Sequence, residues 1–302
     1  MATPCPPPES FKEPLPFPIH WVSDPESGER LRERVLARQE PWGLDIETTL
    51  TGQHHCEVAL IQISDGKEAW LIDSLAFEFK PIIEALYASP LHVLVVHGGI
   101  GDLAVLKRVI GIVAENVFDT LVAAQVLAFP SPNLRELARE CLMVHMTKGS
   151  QQSNWRARPL SPGQFKYGAL DAWVLPGIAR VLAARVAAAG RTDAVRDGIK
   201  AMLEAVKAYE PPNGHPFEVG FARRNRDKKT RARLRVLLDW RTEMANKGHI
   251  ALLMSVGNRM LGTIAEKNPA TEHELRAAGW PPSLLRRYGD KVLKLLSASD
   301  AV

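Results

Sequence analysis

Asp45 and Glu47 stand two residues apart in "GLDIETT", residues 43–49. Alternation along an extended chain puts both on one face and Trp42, Leu44 and Ile46 on the other. Two carboxylates held together in a partly dry place repel and raise each other's pKa. A hard divalent cation such as Mg²⁺, which takes carboxylate oxygens as ligands, removes that cost. The plainer alternative is an edge strand showing a polar face to water. Asp102 follows an apolar run and the glycine-rich "HGGIG" at the start of a helical stretch, where an aspartate also serves as an N-cap. Asp171 lies in "FKYGALDAWVL" four residues after Tyr167, so a helix turns phenol and carboxylate to the same side. There the alternative is a half-buried tyrosine beside a solvated aspartate. Each motif alone is weak, and together they describe a cation-binding site far more specifically.

The elements that must position these groups are legible in outline. "WGLDIETT" (42–49), "EVALIQIS" (57–64) and "EAWLID" (68–73) read as consecutive strands, with "SDG" turning the chain between the last two. "KPIIEALYAS" is a helix with proline in its first turn. "LHVLVV" (91–96) is a continuous apolar run suited to a strand covered on both faces. "DLAVLKRVIG" is expected as a helix beginning at Asp102. Helical periodicity then dominates from about 119 to 207, broken by "FPSP" and "KGSQQSNWRARPLSPG". Strands first, then strand–helix units, imply a mixed sheet with helices on its faces. "AYEPPNGHPFEVGFA" (208–222) has the proline and glycine content of a connection, and the short helices beyond it form a compact all-helical module.

The set of Asp-x-Glu on a first strand, Asp after a glycine loop, and Tyr-x-x-x-Asp on a late helix resembles the DEDD 3′–5′ exonucleases of the tyrosine subgroup. Within them it is most similar to the ribonuclease D family. "LDIETT", "LIQIS", "VVHGGIGDLAVLKR", "VFDTLVAAQVL", "NLRELARECL" and "KGSQQSNWRARPLSPGQFKYGALDA" fall where that family has its corresponding segments, from about residue 20 to 207. The stretch from "RLRVLLDWR" to "KVLKLL", with its "LDWR" and Pro269-x-Thr271-x-x-x-Leu275, resembles the helical HRDC module. Two features depart from the family: Asn154 stands where aspartate is commoner, and the loop before Asp102 is richer in glycine.

The resemblance implies an α/β fold, a ribonuclease H-like mixed sheet flanked by helices and followed by a small all-α module. It divides the chain into an N-terminal arm (1–18), an exonuclease domain (19–207), a linker (208–222) and an HRDC-like domain (223–302). It also implies a metal-dependent 3′–5′ exoribonuclease releasing nucleoside monophosphates from RNA 3′ ends, in tRNA or other structured-RNA maturation, with two Mg²⁺ or Mn²⁺ ions. Asp45 is then expected to bridge the ions, Glu47 and Asp171 to complete one site, and Asp102 to hold the second. Tyr167 would orient the attacking water, since a phenol pKa of about 10 favours orientation over deprotonation. Thr48 is carried over as a contact to the terminal nucleotide. A DNA-directed exonuclease and a non-catalytic nucleic-acid-binding protein stay open, because no 2′-OH reader is visible in the sequence.

Composition fits this reading. The 302 residues are 46% apolar and 24% charged, within the range of globular proteins. The net charge of +4 conceals a basic end: residues 221–302 hold 17 Lys/Arg against 8 Asp/Glu, the remainder 21 against 26. Residues 223–235, "RRNRDKKTRARLR", hold eight basic residues and one acid, either a solvated helix face or an electrostatic capture site for a polyanion. Arg223, Arg224, Lys228 and Lys229 are the candidates there, and Arg156 and Arg158 are further phosphate candidates. His97 either lines the substrate channel or caps a strand. His54 and His55 are expected as loop residues, and Trp155 as a packed anchor. Cys5, Cys56 and Cys141 have no metal-ligand spacing and suit reduced thiols in the cytoplasm. Neither a secretory signal nor a membrane span is read, and a monomer is expected.

Overall fold

The computed structural model describes residues 15–51, 55–88, 92–146, 150, 153–209, 221, 227–246 and 256–299. It separates into two compact units, Met1–Thr49 with Val58–Tyr209, and Leu50–Glu57 with Glu210–Val302. Strands β1 (Ile19–Val22), β2 (Trp42–Thr51), β3 (His55–Ser64), β4 (Ala69–Ile72), β5 (Leu94–Val96) and β6 (Val117–Asp119), which fall in the first unit except for the end of β2 and the start of β3, lie in the order β1-β4-β3-β2-β5-β6. β1 runs parallel to β4, β4 antiparallel to β3, and β5 parallel to both β2 and β6. The sheet is therefore mixed, as the order of elements implied. Sequence pattern starts it at Trp42, whereas the structure adds β1 and β6 at its edges. Neither "IHWV" nor "VFD" lies in a longer strand-like run of the kind that discloses the equally short β4 and β5.

β2 settles why two carboxylates sit on a buried strand. Trp42, Leu44 and Ile46 are buried with side chains of α1 (Pro25–Ala37), α2 (Lys80–Ala88) and α3 (Ile100–Ile110), among them Leu31, Val35, Ile83 and Leu103. Each such large apolar side chain contributes roughly 1.5–3 kcal/mol on burial, which fixes the strand's register. The opposite face, carrying Gly43, Asp45 and Glu47, meets α6 (Pro162–Ala188). That 27-residue helix starts at a capping box between Ser161 and Gln164 with Pro162 in its first turn. A Cβ on Gly43 would lie 2.3 Å from the Ala172 carbonyl oxygen and 3.0 Å from Leu175 Cβ. Backbone meets backbone here, so only glycine lets α6 come this close.

The remaining helices of this unit are α4 (Thr120–Val126), α5 (Leu134–Leu142) and α7 (Thr192–Ala208). The end of the expected N-terminal arm is anchored: Phe17 is buried and stacks on Trp173 of α6 at 4.4 Å. An aromatic ring at that position has a core to enter, which proline content alone does not reveal. Residues 1–14 and nearly all of the expected linker lie outside the described residues. The second unit packs α8 (Lys228–Asn246), α9 (Asn258–Lys267), α10 (Glu272–Ala277) and α11 (Pro282–Ser299) around Leu234, Leu238, Ile264, Leu275, Val292 and Leu296. "LDWR" has a structural part in it. Trp240 lies 6.2 Å from Trp280 and edge-on to Tyr288, while buried Arg241 donates to the Val256 carbonyl and Asn258 Oδ1.

Gly43→Ala is expected to force α6 off the sheet, lowering stability by at least the roughly 1–3 kcal/mol of an overpacked core and weakening any response to divalent cations. Gly101→Ala, where an added Cβ meets nothing within 4 Å, should be neutral or stabilising, because alanine is the better helix former. Thermal denaturation of both variants with and without Mn²⁺ checks this, and a Gly43→Ala melting curve like the wild type's would refute it.

Candidate active site

On this frame one oxygen each of Asp45, Glu47 and Asp171 lies within 4.8 Å of the others. Asp45 and Glu47 come from β2, and Asp171 from α6, one residue before the Ala172 carbonyl that touches Gly43. Tyr167, one turn earlier on the same helix, brings its hydroxyl to the Asp171 carboxylate and favours its charged form. Its ring lies 6.0 Å from buried Trp155, so the tryptophan anchors its loop and backs the phenol. Asp102 is not in the tight trio. It stands close enough for its charge to raise both Asp45 and Glu47.

The helix bearing Asp102 starts earlier than its sequence suggests. It runs from Ile100 with Gly99 as N-cap, which puts Asp102 inside the first turn. The cause is Asp119, a residue the sequence reading passed over. Buried at the end of β6, it accepts from the backbone N–H groups of Gly98 (3.0 Å) and Gly99 (2.9 Å) as well as Leu121 and Val122. One carboxylate thus caps α4 and ties down the turn that delivers Asp102. The extra glycine also has a reason: Gly98 has a φ of 64°, and a Cβ on Gly99 would lie 2.5 Å from Val96 Cγ2. An aspartate directly before an apolar helical run is an N-cap signature, so "VFDT" did carry the signal.

No Lys or Arg among the described residues pairs with the four carboxylates, and their protons respond. Burial first, then the charges of Asp171, Asp102 and Glu47, pushes Asp45 well above the usual carboxylate range. Burial, then Asp171 and Asp102, pushes Glu47 up to about 9. Burial, with Asp119 adding to it, pushes Asp102 up to about 7. Asp171 also reaches about 7 through burial, against the lowering effect of the Tyr167 hydroxyl. Burial and the neighbouring carboxylates hold the Tyr167 phenol above its ordinary value, so it stays protonated. A convergent, half-dry, all-oxygen donor set without a protein counter-charge fits hard divalent cations.

The trio lines a cleft of about 430 Å³ together with His97, Asn133, Leu134, Arg135, Met146 and Tyr167. His97 is at the cleft, and its Nδ1 lies 2.9 Å from Thr120 Oγ1, whose own hydrogen goes to the Val96 carbonyl. Thr120 can then only accept, so Nδ1 carries the imidazole proton and Nε2 is left as an acceptor. Burial lowers the pKa of this histidine, favouring that neutral form.

Other candidates fall elsewhere. Arg158 is not available to substrate: its five donors go to both Asp73 oxygens (2.7 and 2.6 Å) and to the carbonyls of Ala59, Trp155 and Ala157. It locks its loop to the sheet, a use that residue type alone does not reveal. Thr48 is exposed and, by strand alternation, faces away from Asp45 and Glu47. Arg156 is exposed on its loop, and Lys228 and Lys229 are exposed at the start of α8. Arg223, Arg224, His54 and the side chain of His55 lie outside the described residues. Asn133 and Arg135, cleft residues within "NLRELARECL", went unremarked in the sequence because neither belongs to a carboxylate motif.

The family profile described as a 3′–5′ exonuclease matches residues 19–187, the segment that carries this sheet and cleft. The chain belongs to that family. A second profile, the HRDC domain, matches residues 230–296. Ribonuclease D of Haemophilus influenzae is 31% identical over 274 residues, covering 86% of this chain and 65% of that protein. This chain thus spans just under two thirds of that relative's length. The crystal structure of Escherichia coli RNase D, described as an exoribonuclease involved in structured RNA processing, aligns over 95% of this chain and 76% of its own at a TM-score of 0.61 and 25% identity. The catalytic core of RRP6 from Trypanosoma brucei shares the fold, with a TM-score of 0.69 over 95% of this chain and 80% of its own at 21% identity. No helix among the described residues is long and apolar enough to cross a membrane.

These shifts set a pH dependence. A carboxyl whose pKa is raised on folding keeps its proton where the unfolded chain has lost it. Stability of the metal-free protein therefore falls as pH rises from about 4, where unfolded carboxylates titrate, through 7 for Asp102 and Asp171 to 9 for Glu47. Divalent cations should reverse the loss. The expected result is a metal-free Tm that drops from pH 5 to pH 9 and a Mn²⁺-induced rise larger at pH 8 than at pH 5. Asp45→Asn should melt higher than wild type without metal at pH 8 and respond less to Mn²⁺. Equal Mn²⁺ shifts at both pH values would contradict the assignment.

Proposed function

We propose that this chain is a divalent-cation-dependent 3′–5′ exoribonuclease that hydrolyses the last phosphodiester of an RNA and releases a nucleoside monophosphate. The observation that carries it is the convergence of Asp45, Glu47 and Asp171 within 4.8 Å, in a cleft that Tyr167 also lines. Asp45, Glu47, Asp171 and Asp102 are the residues that would hold two ions, Mg²⁺ or Mn²⁺. When bound, such a pair supplies an activated water and stabilises charge on the attacking and leaving oxygens. Tyr167 keeps its proton, so its part is to orient the attacking water. The acceptor nitrogen of His97 suits a ribose hydroxyl. RNA as substrate class is supported by the relatives being ribonucleases by name, one of them described as acting in structured RNA processing, and tRNA precursors are RNAs of that kind. We read residues 19–207 as the catalytic domain and 223–302 as the HRDC-like domain. The basic segment 223–235, with Arg223, Arg224, Lys228 and Lys229, and the exposed Arg156 are assigned to capture of the polyanion, contacts that raise affinity without reading sequence.

The test is full-length protein with 3′-labelled RNA and with DNA of the same sequence, in Mg²⁺ and in EDTA. Mononucleotide release from RNA is expected in Mg²⁺ alone. Asp45→Ala should lower it at least 10³-fold, of the order seen when an essential catalytic group is removed. Preferred release from DNA would transfer the chemistry to the other polymer. Metal-independent binding with no release from either would leave a nucleic-acid-binding protein.

A further inference from the structure

Three carboxylates line the candidate cleft, and Arg135 is the one cation on its wall among the described residues. Arg135 is half-buried. No described carboxylate forms an ion pair with it, although its neighbour Glu136 is bound to Arg139 at 3.0 Å. Its position does nothing for its own helix. α5 spans Leu134–Leu142 behind the N-cap Asn133, so Arg135 is its second residue. A cation there sits against the positive end of the helix dipole, which costs rather than stabilises. The surrounding wall is of a different kind: Leu134 and Met146 are apolar, and Asn133 spends its side chain on Ser131 and the Glu136 N–H. A guanidinium that neither pairs with protein nor supports its helix, in a cleft of about 430 Å³ opening on carboxylates, is free to meet an anion brought in from outside.

We propose that Arg135 grips a substrate phosphate other than the scissile one, the next phosphate on the 5′ side of the RNA. This rests on the exonuclease reading above, in which the carboxylate end of the cleft takes the scissile phosphate. Arg135 meets none of those carboxylates and so belongs to a separate subsite. Its planar fork suits two oxygens of one phosphate, which an ammonium cannot match. The role is substrate positioning: the contact sets which linkage lies at the carboxylates and is made equally before and during hydrolysis. A change there is therefore read in KM rather than kcat.

The experiment compares two RNA tetranucleotides, one with natural linkages and one with an uncharged methylphosphonate at the second linkage from the 3′ end. KM and kcat in Mg²⁺, and binding by fluorescence anisotropy without turnover, are measured for wild type, Arg135→Gln and Arg135→Lys. For wild type the neutral linkage should raise KM and the dissociation constant about tenfold, the scale of one charge-assisted hydrogen-bonded contact, with kcat little changed. Arg135→Gln should bind both oligonucleotides alike, at the weaker level, and Arg135→Lys should recover part of the difference. Thermal melting of Arg135→Gln should equal or exceed that of wild type, as loss of an N-terminal helix cation predicts. An Arg135→Gln variant that still favours the charged linkage tenfold overturns the proposal, as does one with unchanged KM or a lowered Tm. Wild type that favours the charged oligonucleotide but releases no nucleotide would defeat the exonuclease reading and leave the Arg135 contact standing.

Discussion

The structure turns on the approach of one helix to one strand. At Gly43 the backbone of β2 meets the backbone of α6, where a single added carbon would lie 2.3 Å from the Ala172 carbonyl oxygen. The next residue on that face of the strand is Asp45, and the residue before that carbonyl on the helix is Asp171. Their closeness follows from the contact between the two backbones. Nothing electrostatic draws them together: each unit by which a carboxyl pKa is raised represents about 1.4 kcal/mol of opposition to its charged form. What overrides that repulsion is the apolar layer behind β2, in which Trp42 and Leu44 are nearly inaccessible to solvent. The core holds the strand, the missing Cβ admits the helix, and the acids have nowhere else to go.

Other buried carboxylates in the same unit show what the site is not. Asp119 accepts four backbone N–H groups, and Asp73 accepts two donors of Arg158 at 2.6 and 2.7 Å. Both are compensated within the protein, and both tie loops to the sheet: one the turn before Asp102, the other the loop around Trp155 that backs Tyr167. Among the described residues no such donor acts on Glu47 or Asp102, and only the Tyr167 hydroxyl and one backbone N–H act on Asp171 and Asp45. The division is functional. A buried carboxylate satisfied from within serves as a fastener, whereas a cluster left unsatisfied is open to a ligand that completes it.

That division explains what the sequence could and could not disclose. Motif residues were legible because alternation and helical spacing depend only on neighbours along the chain: Asp45 with Glu47, and Tyr167 with Asp171. Asp102 was legible as a residue but misplaced by two positions on its helix, because its start is set by Asp119, seventeen residues on. Arg158 was misread for a related reason. Five donors spent on Asp73, Ala59, Trp155 and Ala157 amount to a tertiary fact, and in the sequence the residue is merely an arginine beside a tryptophan. β1 and β6 escaped notice because, unlike the equally short β4 and β5, they lie in no longer strand-like run, and they are strands because β4 and β5 offer them edges.

Charge gives the last step. A cleft lined with carboxylates is a poor receptor for a polyanion, and the residues around it soften this only slightly: His97 is neutral, and Arg135 stands apart from the acids. In the proposed function the attraction for nucleic acid is assigned elsewhere in the chain, to residues 221–302 with 17 Lys/Arg against 8 Asp/Glu. On that reading capture and chemistry are given to segments of opposite charge. The division has a physical logic, since a basic cleft strong enough to hold RNA by itself would pair with the carboxylates and displace the cations they are arranged to receive. In the proposed function an acidic cleft makes productive binding depend on divalent cations, and by linkage the factor by which bound cations raise substrate affinity equals the factor by which bound substrate raises theirs.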